Sequence, residues 1–108
     1  MPKVTVILPV YNGQKYVHEC LDSLISQSFP DWEAICVNDG STDQTLSILQ
    51  AYATKDPRIY VIDKPNSGYG DSVNRGIDAA RGKYVTILES DDLLPQLRIG
   101  GNVFLRSR

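Results

Sequence analysis

The chain has little positive charge to spend. No run of five basic residues occurs, and 11 Lys and Arg face 13 Asp and Glu, for a net charge of −2. Nucleic-acid binding through a basic face is therefore not expected. Histidine is almost missing. His18 stands alone in a helical pattern, and a partly exposed helix residue is the simpler reading than a ligand or base. Only two cysteines occur, Cys20 and Cys36, one in a helix pattern and one in a strand pattern. They form no C-x-x-C pair, and without histidine partners they make no zinc site. Buried, reduced thiols of a cytosolic protein are expected instead of a disulfide. No apolar segment is long enough to span a bilayer. Met1-Pro2-Lys3 leads straight into a strand-like run and does not read as a secretory leader.

What is present is an alternation of apolar runs and amphipathic stretches. With 108 residues, 42% hydrophobic and 22% charged, one globular domain is expected. Residues 3–8 are β-rich and apolar enough for a central parallel strand, which Pro9 and Asn12-Gly13 should break. A helix is predicted over 14–27, with Val17, Cys20, Leu21, Leu24 and Ile25 on one face. A second strand covers 32–37. Ser41 and Gln44 have capping-box spacing ahead of a helix over 42–54, whose inner face carries Leu46, Leu49 and Ala53. A third strand spans 59–62, and a loop follows over 64–70. A helix over 71–81, with Val73, Ile77 and Ala80 in register, ends at Gly82. The fourth strand, 83–88, runs into acids. The order βαβαβαβ implies a mostly parallel sheet with helices on both faces. Residues 1–95 form that unit. Residues 96–108 read as an atypical tail, in which Val103-Phe104-Leu105 has no evident strand partner.

Ligands of an open parallel sheet bind beyond the carboxyl ends of its strands. Here those ends lead into Pro9–Gly13, Asn38–Asp43, Asp63–Gly70 and Glu89–Asp92, where polar groups and glycines collect. A dinucleotide site is not supported, because the loop after the first strand lacks G-x-G-x-x-G, and no Walker lysine motif occurs. Asp91 and Asp92, with Glu89 nearby, supply the carboxylates that Mg2+ or Mn2+ shares with a substrate diphosphate. A solvated acidic turn is the competing reading. Asp39 could accept N–H from a base or O–H from a ribose, or serve only as a turn residue of Asn-Asp-Gly. Asp43 suits the first turn of a helix, where acids complement the dipole. Tyr11 could pack beside a base or simply pack.

Together these loops resemble a known family. "VTVILPVYNGQKYVHECLDSLISQSFPDWEAICVNDGSTDQT" is similar to the opening of the family 2 glycosyltransferases, with P-x-Y-N after the first strand, a "CLxSLxxQ" helix and a D-D-G-S-x-D-like second strand end. "NSGYGDSVNRGIDAARGKYVTILESDD" resembles the rest of that family's nucleotide-binding half, including N-x-G-x-x-x-x-x-N-x-G and D-x-D. The likeness runs over about residues 3–95.

The resemblance implies a GT-A fold: a Rossmann-like three-layer α/β sandwich that binds a nucleotide-diphosphate sugar, most often a UDP-sugar, with Mn2+ or Mg2+. By position, Pro9, Val10 and Tyr11 would line the nucleoside pocket and Asp39 would bond the base. Asp91 and Asp92 would hold ribose, metal and diphosphate, flanked by the loop from Asn66 to Gly70 and by Arg75. The implied reaction is inverting transfer of the sugar to a hydroxyl of a glycan or lipid-linked acceptor. The implied setting is cell-surface polysaccharide or lipopolysaccharide synthesis, in the cytoplasm or at the inner face of the membrane. Three departures stand out. Asn38 replaces the family's commoner first Asp, Glu89 replaces the first Asp of D-S-D-D, and no acceptor-binding half with its general base follows Pro95. The chain is therefore expected to be truncated, with no base among its residues and with an open fourth-strand edge prone to self-association. The rival classes are a non-catalytic nucleotide-binding or interaction module and a nucleotidyltransferase. The latter lacks its Gly-rich loop and basic residue after the first strand.

Overall fold

The computed structural model describes residues 2–88 and 103–105. Seven elements alternate as expected: β1 (Val4–Val10), α1 (Val17–Ile25), β2 (Trp32–Asp39), α2 (Thr45–Lys55), β3 (Ile59–Lys64), α3 (Tyr69–Ala79) and β4 (Tyr84–Ile87). An eighth, β5 (Val103–Leu105), completes a sheet of order β3-β2-β1-β4-β5. The first four strands are mutually parallel and β5 is antiparallel to β4. This is the α/β architecture that the alternating pattern implies.

Two expectations about the end of the chain are corrected here. Val103–Leu105 does find a partner, pairing Tyr84 with Leu105 and Thr86 with Val103. β4 is therefore not the open edge of the sheet, whose outer strands are β3 and β5.

The core divides by the period-two alternation of β1. Val4, Val6, Leu8 and Val10 join α1, α2 and the even side of β2 in one cluster. Ile7 packs with Ala80 and Val85 on the other face, under α3. From α1, Val17, Cys20, Leu21 and Leu24 are buried as predicted, while Ile25 stays at the rim. Both cysteines are buried, and neither is in a disulfide among the described residues.

β1 runs on through Pro9 to Val10, where a break had been expected. The N–H donated by Tyr84 to Lys3 and by Leu88 to Ile7 shows that odd-numbered β1 residues face β4. Pro9 falls on that side just past the last paired β4 residue, Ile87. A missing donor breaks no ladder bond there.

Two helix predictions also shift. α2 starts at Thr45, and neither Ser41 nor Gln44 caps it with its side chain. Asp43 does so instead, from ahead of the first turn, by accepting the Thr45 N–H at 2.9 Å. On α3 the inward stripe is Ser72, Gly76 and Ala80, not Val73 and Ile77. The helix lies so close to β1 that a Cβ on Gly76 would come within 2.5 Å of Ile7 Cγ2. Small residues win the inner face, and Ile77 is left exposed. Gly82 likewise serves a close pass, its N–H donating to Thr5 Oγ1 at 2.8 Å.

Candidate functional site

The carboxyl ends of β1, β2 and β3 meet at one edge of the sheet. The loop after β1 is tied to the loop after β2 by reciprocal bonds. The N–H groups of Asn12, Gly13 and Gln14 donate to Ser41 Oγ, Thr45 Oγ1 and Asp43 Oδ2 at 2.9, 2.9 and 3.3 Å. In return, the N–H groups of Thr42 and Gln44 donate to Asn12 Oδ1 at 2.8 Å and Gln14 Oε1 at 2.9 Å. Asn12 adopts a positive φ of 51°, a conformation that Asn tolerates better than most residues. Asp43 therefore works as a clasp. Burial disfavours its charge, but the Thr45 hydroxyl and the N–H groups of Thr45 and Gln14 outweigh it and lower its pKa.

Asp39 ends β2 and is almost fully buried. Its Oδ1 accepts from Lys64 Nζ and from the Ser67 N–H at 2.8 Å. Its Oδ2 accepts from the Gly68 N–H at 3.1 Å. Desolvation opposes ionisation, yet these donors and the Lys64 charge prevail and hold the carboxyl below its ordinary range. The Asn66 amide also donates to the Asp39 carbonyl at 3.0 Å. Gly40, at φ +68°, passes so close to Asn66 that a Cβ would come within 2.5 Å of its backbone nitrogen. The glycine of Asn-Asp-Gly thus allows the two loops to touch.

Between these loops and α3 lies an open cleft of about 290 Å3, lined by Pro9, Val10, Tyr11, Asp39, Asn66, Gly68, Tyr69 and Ser72. Five of the predicted site residues, Pro9, Val10, Tyr11, Asp39 and Asn66, come together in it. Gly70 sits next to it in the first turn of α3, and Arg75 lies one turn on, paired with Asp71 at 3.4 Å. Asp91, Asp92 and Glu89 fall outside the described residues. Among the described residues no cluster of three or more His, Cys, Asp or Glu could hold a metal ion.

Sequence reasoning missed Lys64 and Ser72, whereas Gly68 and Tyr69 lie within the Asn66–Gly70 loop it expects to flank the donor. Lys64 is buried, bonds Asp39 and Ser67 Oγ, and donates to the Pro65 carbonyl at 3.1 Å. Its signal was the register of β2 on β3, which sets Lys64 beside Asp39. Ser72 Oγ is buried with no hydrogen-bond partner among the described residues, and its residue lines the cleft. An unpaired buried hydroxyl is costly, and a polar ligand would satisfy it. Chemically, the cleft offers apolar and aromatic walls, the ionised Asp39 carboxylate and the buried, unpartnered Ser72 hydroxyl.

Comparison with known proteins gives this arrangement its context. The family model described as Glycosyl transferase family 2 matches residues 5–101. The poly(ribitol-phosphate) beta-glucosyltransferase of Bacillus spizizenii is 40% identical over 108 residues, covering 96% of this chain and 16% of that protein. The crystal structure of S. aureus TarS 1-349 in complex with UDP-GlcNAc superposes with a TM-score of 0.74 at 38% identity, covering 84% of this chain and 27% of that one. The mannosyltransferase PcManGT from Pyrobaculum calidifontis, in complex with GDP-Man and Mn2+, gives 0.76 at 31% identity, covering 87% and 29%. The chain spans well under half the length of the curated relatives it matches. Sequence and fold agree: the chain belongs to glycosyl transferase family 2.

Proposed function

We propose that the chain is the donor-binding part of an inverting glycosyltransferase that takes a UDP-sugar together with Mn2+ or Mg2+. The observation that carries this reading is Asp39, held ionised in a cleft at the carboxyl ends of the strands beside Tyr11 and the unpartnered Ser72 hydroxyl. Pro9, Val10 and Tyr11 wall the base, and Asp39 accepts its N–H. Asn66, Gly70 and Arg75 flank ribose and diphosphate. Gly70 supports that role, because a Cβ there would meet nothing within 4 Å, so internal packing does not require glycine. Bare backbone at a helix start suits close approach of a phosphate.

Asp91 and Asp92 are the residues proposed to hold the metal and the diphosphate. The donor set fits a hard cation, and the Mn2+ of the mannosyltransferase neighbour supports the assignment. A cation in such a site neutralises charge on the departing diphosphate. The acceptor hydroxyl, deprotonated by a base outside the residues named here, attacks the anomeric carbon with inversion. A glycan or lipid-linked acceptor in cell-surface polysaccharide synthesis, met in the cytoplasm at the inner face of the membrane, completes the reading. The kinship with a poly(ribitol-phosphate) glucosyltransferase supports it.

Titration calorimetry with UDP, with and without Mn2+, tests the proposal. Metal-assisted binding that Asp39→Ala and Asp92→Ala each weaken at least about tenfold is expected. No binding of any nucleotide would point to a non-catalytic interaction module.

A further inference from the structure

Lys64 is buried at the site, yet nothing in the reaction needs a cation there. Its Nζ occupies Asp39 Oδ1 together with the Ser67 N–H, while Oδ2 receives only the Gly68 N–H. A carboxylate has about four acceptor directions, two on each oxygen. Both directions on Oδ1 are therefore filled, and one remains on Oδ2. The carboxylate is also locked in place. Asn66 grips the Asp39 carbonyl, and Lys64 reaches Ser67 Oγ and lies 3.4 Å from Asp71. Asp39 cannot turn to offer its other oxygen without releasing the buried ammonium, which would be left without its closest counter-charge.

We infer that Lys64 is a specificity-determining residue for the base: by filling Oδ1 it leaves Asp39 a single acceptor, which fits the one ring N–H of uracil and not the paired N–H donors of guanine. A free carboxylate would take guanine on both oxygens at once, through its ring N–H and its exocyclic amine. Cytosine offers a lone pair at the equivalent ring nitrogen and is repelled. Lys64 acts through Asp39 and touches no substrate, so it is a positioning residue. The inference rests on the donor-site reading proposed above.

Competition binding on the 108-residue chain with UDP, GDP and 3-methyluridine diphosphate tests it, using wild type and Lys64→Met. Wild type is expected to bind UDP at least about tenfold more tightly than GDP, and to lose about the same factor on 3-methylation, since one hydrogen bond to a charged acceptor is at stake. Lys64→Met opens Oδ1, so the ratio of UDP to GDP affinity should fall toward unity. Lys64→Arg, which keeps a cationic donor, should restore it. A merely structural role would weaken both nucleotides together and leave the ratio unchanged, and that result would overturn the inference. Wild type binding GDP as well as UDP overturns it without any variant, so misfolding of Lys64→Met cannot shield it. Binding of neither nucleotide by wild type is a different result, because it removes the donor site itself.

Discussion

Asn38 Nδ2 donates to Asp63 Oδ1 at 3.0 Å, joining the ends of β2 and β3 one residue before the Asp39–Lys64 pair. The family resemblance leads one to expect Asp at position 38, and Asp63 explains the exchange. A second carboxylate there would have no donor to give and would face a like charge. Asn38→Asp should therefore destabilise the chain at neutral pH by about 1–2 kcal/mol, from a lost hydrogen bond plus repulsion at a partly screened site. The penalty should shrink in acid, where one carboxyl of the pair takes up a proton. Urea melts at pH 7 and pH 4 measure it, and an equal penalty at both would show that repulsion is not the cause.

Asn12 is the pivot of the clasp that holds the Tyr11 loop against the loop after β2. Asn12→Ala removes the acceptor for the Thr42 N–H and places Ala at a positive φ. About 2–3 kcal/mol should be lost, combining a bond of about 1 with a left-handed penalty of about 1–2. Asn12→Gly relieves the backbone and loses only the bond, so its melting temperature should fall between the other two. Nucleotide affinity, measured alongside, should fall in both variants, since each frees the segment bearing Tyr11. Full affinity in Asn12→Ala would detach the clasp from the site.

How much of this was legible beforehand follows from where the signals lie. The strands and helices were readable because their apolar residues recur with periods that only one element satisfies, as in Val17, Cys20, Leu21 and Leu24. The cleft was readable through Pro9, Tyr11 and Asp39, because strand ends converge in any parallel sheet. The inner face of α3 was not. Hydrophobicity favours Val73 and Ile77, and only the distance to Ile7 makes small residues the buried ones. The partner of Val103–Leu105 was hidden for a similar reason, since an antiparallel return to β4 leaves no mark in three apolar residues. By composition Lys64 reads as a loop lysine. Its role depends on strand register, which no local pattern encodes.

The approach of α3 to β1 gives a direct packing test. A methyl at Gly76 would sit 2.5 Å from Ile7 Cγ2 and 3.1 Å from its Cγ1. Ile7 is fully buried in a central strand and has little room to move. Helix propensity alone favours Gly76→Ala by about 1 kcal/mol, but overpacking opposes it by about 1–3 kcal/mol. Overpacking should win, so Gly76→Ala is expected to lower the melting temperature, and pairing it with Ile7→Val should recover part of the loss. A stabilised single variant would mean that the helix simply shifts outward.

Glu33 supplies the acid-sensitive tie at the opposite end of the sheet. This buried carboxylate accepts from the Thr5 hydroxyl at 2.6 Å, from the Arg81 N–H at 2.7 Å and from the Arg81 guanidinium at 3.0 Å. Burial pushes its pKa up, but these donors outweigh it and leave the group below its ordinary 4.5. A folded-state pKa below the unfolded one means the stabilisation is fully present above about pH 4.5 and is lost as pH falls through the folded value. Glu33→Gln keeps the shape and removes the charge. It should be less stable than wild type by about 1–3 kcal/mol at pH 7. The two stability curves should converge as wild-type Glu33 takes up its proton. Asp39 and Asp43 are shifted in the same direction, so wild type and variant should both still lose stability in acid. A gap that stays constant from pH 7 down to pH 3 would show that the Glu33 charge contributes nothing to the fold.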